Sequence, residues 1–176
     1  MCMDNEILRN IKSRRSIRKY EKRQVTEEEL LTVLDAGTYA PTGMGYQSPF
    51  IVAVQDSDIK AQLVRMNAEI MGVKTNPYYD APTIVLVFGP TIETWKNTVQ
   101  DGSLVLGTMM LAAKSIGLGT CWINREMEMF ATEEGRALMK RMGLPDGMMG
   151  IGALSLGYPA AEGKMKPRKK DYYRIV

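Results

Sequence analysis

The sequence predicts a single domain, residues 1–176, in which α-helices flank a buried β-sheet. A length of 176 residues suits one domain, and 45% hydrophobic with 24% charged residues is typical of a soluble globular protein. The runs Phe50–Val54 and Thr83–Phe88 are short and almost wholly apolar, as buried strands are. The longer apolar stretch Asp101–Ile116 predicts a helix at the centre of the domain or in a subunit interface.

The first third of the chain predicts two helices followed by a loop. Glu6–Ser13 has its apolar residues at helical spacing, on one face of a short helix. Thr26–Glu29 is a capping box that begins a second helix, for which Gly37 is the predicted end. The polar stretch Pro41–Pro49, rich in glycine and proline, predicts a loop.

The middle of the chain alternates between strands and helices. Phe50–Val54 has no polar position, so we expect this strand at the centre of the sheet. Asp58–Met71 predicts a helix, and Thr83–Phe88 predicts a second buried strand. The apolar helix Asp101–Ile116 is expected to end at Gly117.

The last third predicts a strand at Thr120–Ile123, a helix at Glu133–Met142 and a strand at Gly150–Gly157. The tail Tyr172–Val176 has the composition of a further strand, but no local segment could pair with it. Two interpretations of the tail stay open: an arm donated to a partner subunit, or a frayed end.

Charge and cysteine content exclude several classes of protein. A net charge of +3 is too mild for a broad nucleic-acid-binding surface, and the apolar runs are too short to span a bilayer. The N-terminus is charged and lacks an apolar run, so we expect no signal peptide. Cys2 and Cys121 are the only cysteines, which favours the reducing cytoplasm over a disulfide-linked secreted protein.

The absence of histidine restricts the possible chemistry. Without histidine, neither a Ser-His-Asp triad nor a histidine-built zinc site can form. Two cysteines are also too few for an all-thiolate zinc site, so no metal is predicted. An enzyme with this composition is expected to use a bound organic cofactor.

Two basic clusters lie near opposite ends of the chain. The first is Arg14–Arg18, which also contains a serine, and the second is Lys166–Arg168. Guanidinium groups bind phosphate oxygens in a bidentate manner, and lysine contributes a point charge. The two clusters could therefore fold together onto one phosphate dianion. The alternative is that both are ordinary solvated surface charges.

Four segments, taken in order, resemble the FMN-dependent nitroreductase family. They are the Arg-Arg-Ser-x-Arg start, the Ala40–Gln47 loop, the glycine-punctuated helix leading into Gly117–Trp122, and the late Lys166–Arg168. The resemblance covers essentially the whole chain and is closest to short family members. It implies an α+β fold with a mostly antiparallel central sheet flanked by helices. It also implies an intertwined homodimer with FMN at the subunit interface.

The resemblance assigns residues to the phosphate end of the cofactor. The positions that correspond to contacts with the FMN phosphate and ribityl chain are Arg14, Arg15, Ser16, Lys166 and Arg168. A guanidinium fork, a hydroxyl and an ammonium group suit phosphate oxygens.

The resemblance also assigns residues to the ring. Arg18 corresponds to a cation near the pyrimidine edge, where it would stabilise the anionic reduced flavin. Residues expected to reach the ring and tail from the partner subunit are Pro41, Thr42, Gly43 and Gln47. Residues expected near flavin N5 are Trp122, Ile123, Asn124 and Arg125. Asp101 corresponds to a polar position close to the cofactor, and Asn67 to a contact at the flavin edge.

Two departures from larger family members concern the acceptor side of the site. Larger members carry Asn at the position of Gly45 and a Pro-Trp pair at Ser48-Pro49, so a hydrogen bond to flavin or substrate is expected to be absent or supplied elsewhere. They also insert helices where this chain has only Gly89–Gln100, which predicts a more open substrate side. Trp95 in that segment is either a remaining lid or a packed surface residue.

These assignments imply an NAD(P)H oxidoreductase with a ping-pong mechanism. NADH or NADPH would pass hydride to flavin N5 and leave, and a nitroaromatic, quinone or similar small acceptor would take its place. No side chain is expected to act as a catalytic acid or base, which agrees with the missing histidine. No Gly-x-Gly-x-x-Gly follows a strand, so a Rossmann nucleotide site is not expected.

Other functions remain open from the sequence. The chain could store flavin or sense redox state without turnover, or it could be a dehalogenase-like or flavin-consuming member of the family. A nucleic-acid binder that uses the basic segments Arg14–Lys22 and Lys164–Lys170 is disfavoured by the mild charge and by an aromatic content of 7%.

Overall fold

The computed structural model describes residues 3–176 and contains a four-stranded sheet with helices on both faces. The strands are β1 (Phe50–Val54), β2 (Thr83–Pro90), β3 (Gly119–Ile123) and β4 (Met148–Gly157). The helices are α1 (Glu6–Ser13), α2 (Glu27–Thr38), α3 (Ser57–Met71), α4 (Thr98–Ser115), α5 (Glu126–Ala131) and α6 (Glu133–Arg141). One turn of 3₁₀ helix lies at Gly43–Gly45.

The sheet has the order β1-β2-β4-β3, and every neighbouring pair is antiparallel. In the register, Val85 of β2 lies opposite Ala53 of β1 and Leu154 of β4. The predicted α+β class, with an antiparallel sheet flanked by helices, is confirmed. The predicted intertwined homodimer stays a prediction.

The alternating side chains of β2 divide the core into two layers. Ile84, Leu86 and Phe88 face α3, α5 and α6, whereas Val85 and Val87 face α2 and α4. All five side chains are buried. Each contributes about 1.5–3 kcal/mol through removal from water, so β2 and the central β4 form the rigid base on which the loops rest.

The expectation that β1 is a central strand is wrong, because β1 lies at an edge of the sheet. Its Phe50 is 42% exposed. The strand is apolar because Ile51 packs against the α2/α4 layer while Val52 packs against the α3/α5/α6 layer. The apolar composition of a strand indicates that both of its faces are covered. It does not indicate whether one or both of its edges pair with a neighbouring strand.

Helix ends agree with the capping signals except at Gly37. Thr26 accepts from the backbone of Glu29, and the Glu29 side chain accepts from the backbone of Thr26, as the capping box predicts. The helix nevertheless continues to Thr38, so the predicted end at Gly37 is wrong. A Cβ at Gly37 would lie 2.8 Å from the Met109 side chain, so this glycine permits close packing of α2 on α4.

Two helical features differ from the prediction. Helix α4 begins at Thr98, three residues before the predicted start at Asp101. Helix α5 was not predicted, since six residues are too few for an apolar period to emerge. It follows Arg125, whose φ of +91° turns the chain sharply after β3.

Apolar side chains remain exposed at α1 and at the tail. Ile7 and Ile11 are 71% and 47% exposed, although the Asn10 amide anchors α1 to the Leu111 carbonyl of α4 at 2.9 Å. Residues 172–176 form no strand, and their side chains are exposed. The interpretation of the tail as an arm for a partner subunit stays a prediction. Across residues 3–176, none of the helices has the length and apolar character needed to cross a membrane.

Candidate cofactor site

The first basic cluster is fixed by the beginning of β3. Ser16 forms a parallel bridge with Thr120, and the Ile17 N–H donates to the Thr120 carbonyl at 2.9 Å. Gly119 permits this approach, because a Cβ there would lie 2.7 Å from the Ile17 side chain. The Arg14–Ser16 segment is therefore held against a rigid strand end.

The second basic cluster returns to the same place from the end of the chain. The Ala160 N–H donates to the Lys19 carbonyl at 2.9 Å, which aligns the segment after β4 with the segment after α1. Gly163 then passes directly against Arg15. Together the two segments enclose a basic cleft of about 490 Å³, lined by Arg14, Arg15, Ser16, Arg18, Lys19, Ala161, Glu162, Gly163, Lys164, Lys166 and Arg168. The two basic clusters therefore meet at one cleft, and their binding of one phosphate there stays a prediction.

The electrostatics of the basic cleft favour an anion. Seven cationic side chains and one carboxylate line it. The Arg14 Nη1 atom is buried without a hydrogen-bond partner among the described residues. An unpaired buried guanidinium nitrogen is costly, so an anionic oxygen in the cleft would relieve the penalty. Arg15 is partly committed already, since its Nη1 donates to the Lys12 and Arg14 carbonyls at 2.6 Å.

Arg18 lines the cleft and also contacts Tyr79. Its Nε donates to the Tyr79 hydroxyl at 3.3 Å, and its guanidinium carbon lies 5.8 Å from the centre of the Tyr79 ring. The hydrogen bond to Tyr79 raises the pKa of Arg18 above its ordinary value, so the group remains charged at any physiological pH.

Three lysines at or beside the cleft were not among the residues predicted to bind the cofactor. Lys19 and Lys164 line it, and Lys114 lines an adjoining cavity of about 690 Å³ that shares Arg14 and Arg15. Lys164 could have been found, because it alternates with Lys166 and Arg168, and alternate residues of an extended segment face one side. Lys114 lies in the last turn of α4, distant in sequence, and only the fold brings it near.

The end of β3 carries the residues predicted to lie near the flavin ring. Ile123 is buried, whereas Asn124 and Arg125 are exposed. The Trp122 indole donates to Asn124 Oδ1 at 2.8 Å. Four residue-to-residue steps of about 3.3 Å each lead from Thr120 to Asn124, so about 13 Å of extended chain lies between the basic cleft and this segment. A strand of this length suits a ligand with a phosphate at one end and a ring at the other.

A buried polar network supports the segment after β3. The Asn67 amide donates to the Asn124 carbonyl at 2.8 Å and to the Tyr78 hydroxyl at 3.3 Å, and Tyr78 donates to Glu126 Oε1 at 3.0 Å. Asn67 is fully buried, so it lies behind this segment instead of on a surface open to a ligand. Burial raises the pKa of Glu126 to about 8.

The Pro41–Gln47 loop lies apart from the basic cleft within one chain. Thr42 and Gln47 line a small cavity of about 130 Å³ beside α2 and β1, and no residue of the basic cleft lines it. Met44 and Gln47 have positive φ values of 56° and 51°, which non-glycine residues seldom adopt. The Gln47 N–H donates to Thr42 Oγ1 at 3.0 Å and closes the loop on itself.

Asp101 connects this loop to the segment that contains Trp95. Its side chain is 3% exposed. Oδ1 accepts from the Gly43 N–H at 2.9 Å, and Oδ2 accepts from the Trp95 indole at 2.7 Å. The Trp95 ring also packs 5.0 Å from the Tyr46 ring, so Trp95 is a partly buried residue that covers the loop.

A cavity larger than the basic cleft lies elsewhere. It measures about 790 Å³ and is lined by residues of α5, α6 and the start of β4, including Met127, Phe130 and Met148. None of the residues predicted to bind a cofactor lines it. Cavity volume alone is therefore a poor guide to the cofactor site. The cationic hydrogen-bond donors that line the basic cleft make it the candidate site. Within residues 3–176, no three Cys, Asp or Glu side chains are grouped in the manner of a metal site.

Comparisons with known proteins agree with this geometry. Residues 11–158 match the model of the nitroreductase family. A protein of Archaeoglobus fulgidus with the provisional name NADH dehydrogenase/NAD(P)H nitroreductase is 30% identical over 96% of this chain and 90% of its own length. The NAD(P)H-dependent FMN reductase of Bacillus subtilis is 25% identical over 93% of this chain and 70% of its own. A crystal structure of an FMN-bound nitroreductase from Bacteroides fragilis superposes with a TM-score of 0.90, at 32% identity, over 98% of this chain and 100% of that one.

Proposed function

Because this chain belongs to the nitroreductase family, we propose that it is an FMN-dependent oxidoreductase that takes electrons from NADH or NADPH. The observation that carries the proposal is the convergence of Arg14–Arg18 with Lys166 and Arg168 on one cleft. Relatives that are named FMN reductase and a similar structure that holds FMN support the choice of cofactor.

The basic cleft has the groups that a terminal phosphate requires. Arg14 would direct its unpaired Nη1 at a phosphate oxygen, and the Ser16 hydroxyl would donate a second hydrogen bond. Lys166 and Arg168 would neutralise the remaining charge from the opposite wall. Glu162 also lines the cleft, and the excess of cations over this single carboxylate keeps the local potential positive.

The direction of β3 suggests how the rest of the cofactor would lie. From the phosphate beside Thr120, the ribityl chain would follow the strand toward Asn124, where the ring would meet the backbone of Trp122–Arg125. The buried amide of Asn67 holds the Asn124 carbonyl, so these backbone groups are fixed before a ligand arrives. Arg18 would lie at the pyrimidine edge and favour negative charge there.

We further propose that a complete site needs two subunits. The Pro41–Gln47 loop and the basic cleft share no lining residue within one chain, so a loop that reaches the ring would come from a second copy. The exposed Ile7 and Ile11 of α1 offer apolar surface for such a partner.

FMN, when bound, supplies the chemistry by accepting hydride at N5 and delivering two electrons to a small acceptor such as a nitroaromatic or quinone. The protein would bind the phosphate and orient the ring, and donor and acceptor would react in turn, which is a ping-pong order. No residue near the site needs to be a general base, and the sequence contains no histidine.

An absorbance spectrum tests the proposal. The purified protein, supplied with FMN and freed of excess, should show flavin bands that bleach when NADH or NADPH is added under anaerobic conditions. Bands that persist with both donors would favour a flavin store or redox sensor. A protein that retains no flavin would refute the cofactor assignment.

A further inference from the structure

Asp101 is an isolated buried carboxylate. It lies in the first turns of α4, and the ion pairs found within residues 3–176 do not include it. A buried charge without a cation is retained only where hydrogen bonds compensate its desolvation. Here each carboxylate oxygen has one such bond, from Gly43 and from Trp95. Both oxygens are thus engaged with the protein itself.

The two donors to Asp101 come from separate segments that also touch each other. A Cβ at Gly43 would lie 2.5 Å from Cζ2 of Trp95 and 2.9 Å from the amide nitrogen of Asn97. Only glycine at position 43 permits this contact. Tyr46, at the end of the 3₁₀ turn, adds a ring contact to Trp95, with the two ring centres 5.0 Å apart. The carboxylate therefore joins α4, the loop and Trp95 at one point.

The loop held by Asp101 is conformationally strained. Met44 and Gln47 both adopt left-handed backbone conformations without being glycine. Each such conformation costs of order 1 kcal/mol and persists only where surrounding contacts enforce it. The bond from the Gly43 N–H to Asp101 immediately precedes Met44 and attaches the loop's 3₁₀ turn to a buried carboxylate.

We propose that Asp101 is a positioning residue of the cofactor site, which fixes the Thr42–Gln47 loop and Trp95 without touching the cofactor. This inference rests on the proposed function, in which the loop lines the flavin of the partner subunit. It reassigns Asp101 from a cofactor contact to the support of one wall of the site. It also makes Trp95 part of that wall, held by its indole N–H.

The test uses two variants and a matched control in the FMN-supplied protein. Asp101→Asn keeps the shape but can accept only one of the two hydrogen bonds, because its amide group faces the other donor. Trp95→Phe keeps an aromatic ring but removes the N–H. Glu93→Gln removes a negative charge from the same segment at an exposed side chain that makes no hydrogen bond to the described residues.

Three readouts separate positioning from general stability. We expect Asp101→Asn to accelerate amide hydrogen exchange in residues 40–47 and to raise the FMN dissociation constant roughly tenfold, with a smaller rise for Trp95→Phe. At saturating FMN, the KM for NADH should rise in both variants, because the wall of the ring site moves. Glu93→Gln should match wild type in all three measurements.

The outcomes distinguish this inference from the proposed function. Wild-type protein that binds no FMN would refute the proposed function and, with it, a cofactor role for Asp101. Wild-type protein that binds FMN, with both variants matching it in affinity and KM, would refute the positioning role alone. If Asp101→Asn does not fold, Trp95→Phe decides the question, because its fold loses only one hydrogen bond.

Discussion

Gly163 lies so close to Arg15 that a side chain at position 163 would overlap the Cβ atom of Arg15. This contact brings the end of the chain onto the first basic cluster and gives the cleft its second wall. Gly163→Val should push the Lys164–Arg168 segment outward. The expected result is weaker FMN binding with a nearly unchanged melting temperature, since the sheet is not involved. A titration of FMN fluorescence together with thermal unfolding checks this, and unchanged affinity would contradict it.

Cationic side chains in the cleft should contribute more to FMN binding than an exposed cation outside it. Arg14→Ala and Arg168→Ala should each weaken FMN binding by about 1.5–3 kcal/mol, the range for a hydrogen bond to a charged group. Lys169→Ala is the matched control, because Lys169 is exposed and does not line the cleft. The measurement is the dissociation constant at fixed ionic strength. Equal losses in Lys169→Ala would mean that only general attraction of the phosphate is at work.

Glu126 should make stability depend on pH in a defined window. Its pKa rises from 4.5 to about 8 on folding, because burial penalises the carboxylate. The folded state therefore holds a proton that the unfolded state has lost, and stability should fall as pH rises from about 4.5 to about 8. Below this window Glu126 is protonated in both states, so stability no longer depends on its titration. Above the window Glu126 is ionised in both states, and no further loss of stability is expected from it.

The variant Glu126→Gln isolates this contribution. Glutamine has no proton to release, so the variant should lose less stability than wild type between pH 5 and pH 8. Urea unfolding of both proteins at the two pH values measures the difference, and the remaining carboxylates cancel in the comparison. If the free energy of unfolding changes equally with pH in both proteins, Glu126 ionises in the folded protein at the same pH as in the unfolded chain, which would contradict the prediction.

Association and flavin retention should be linked. Ile11→Asp places a charge on the exposed apolar face of α1 and should yield a monomer that releases FMN. Ile70→Asp is the control, since Ile70 is 38% exposed on α3, which packs on the opposite face of the sheet from α4. Size-exclusion chromatography with detection at the flavin wavelength gives mass and retention together. A monomer that remains yellow would refute the two-subunit site.

Local sequence signals predicted most of the fold. The capping box at Thr26 and the apolar runs at Thr83 and Gly150 have their causes within a few residues, so they could be interpreted without the fold. The edge position of β1 could not be predicted in this way, because strand order depends on pairing between distant segments. Gly37 was interpreted as a helix end for the same reason, since its partner Met109 lies on another helix.

The candidate site was predictable as a set of charges but not as an arrangement. Arginine and lysine clusters show in the sequence, and the structure brings them to one cleft. The roles of Asp101 and Asn67 depend on which donors and acceptors face them after folding. The sequence therefore indicates polar side chains near a cofactor, but it does not indicate whether each one contacts the cofactor or supports a neighbouring segment. Helix α5 was not predicted because six residues are too few to show an apolar period, and the turn at Arg125 depends on one unusual backbone angle.

The origin of the basic cleft in both ends of the chain has a consequence for biosynthesis. A ribosome-bound chain can complete the sheet once β4 has emerged, yet the cleft lacks its second wall until Arg168 is also free. Cofactor capture would thus follow folding of the sheet. A protease that cuts after Ala161 would likewise separate the two walls and release the phosphate group while leaving every strand intact.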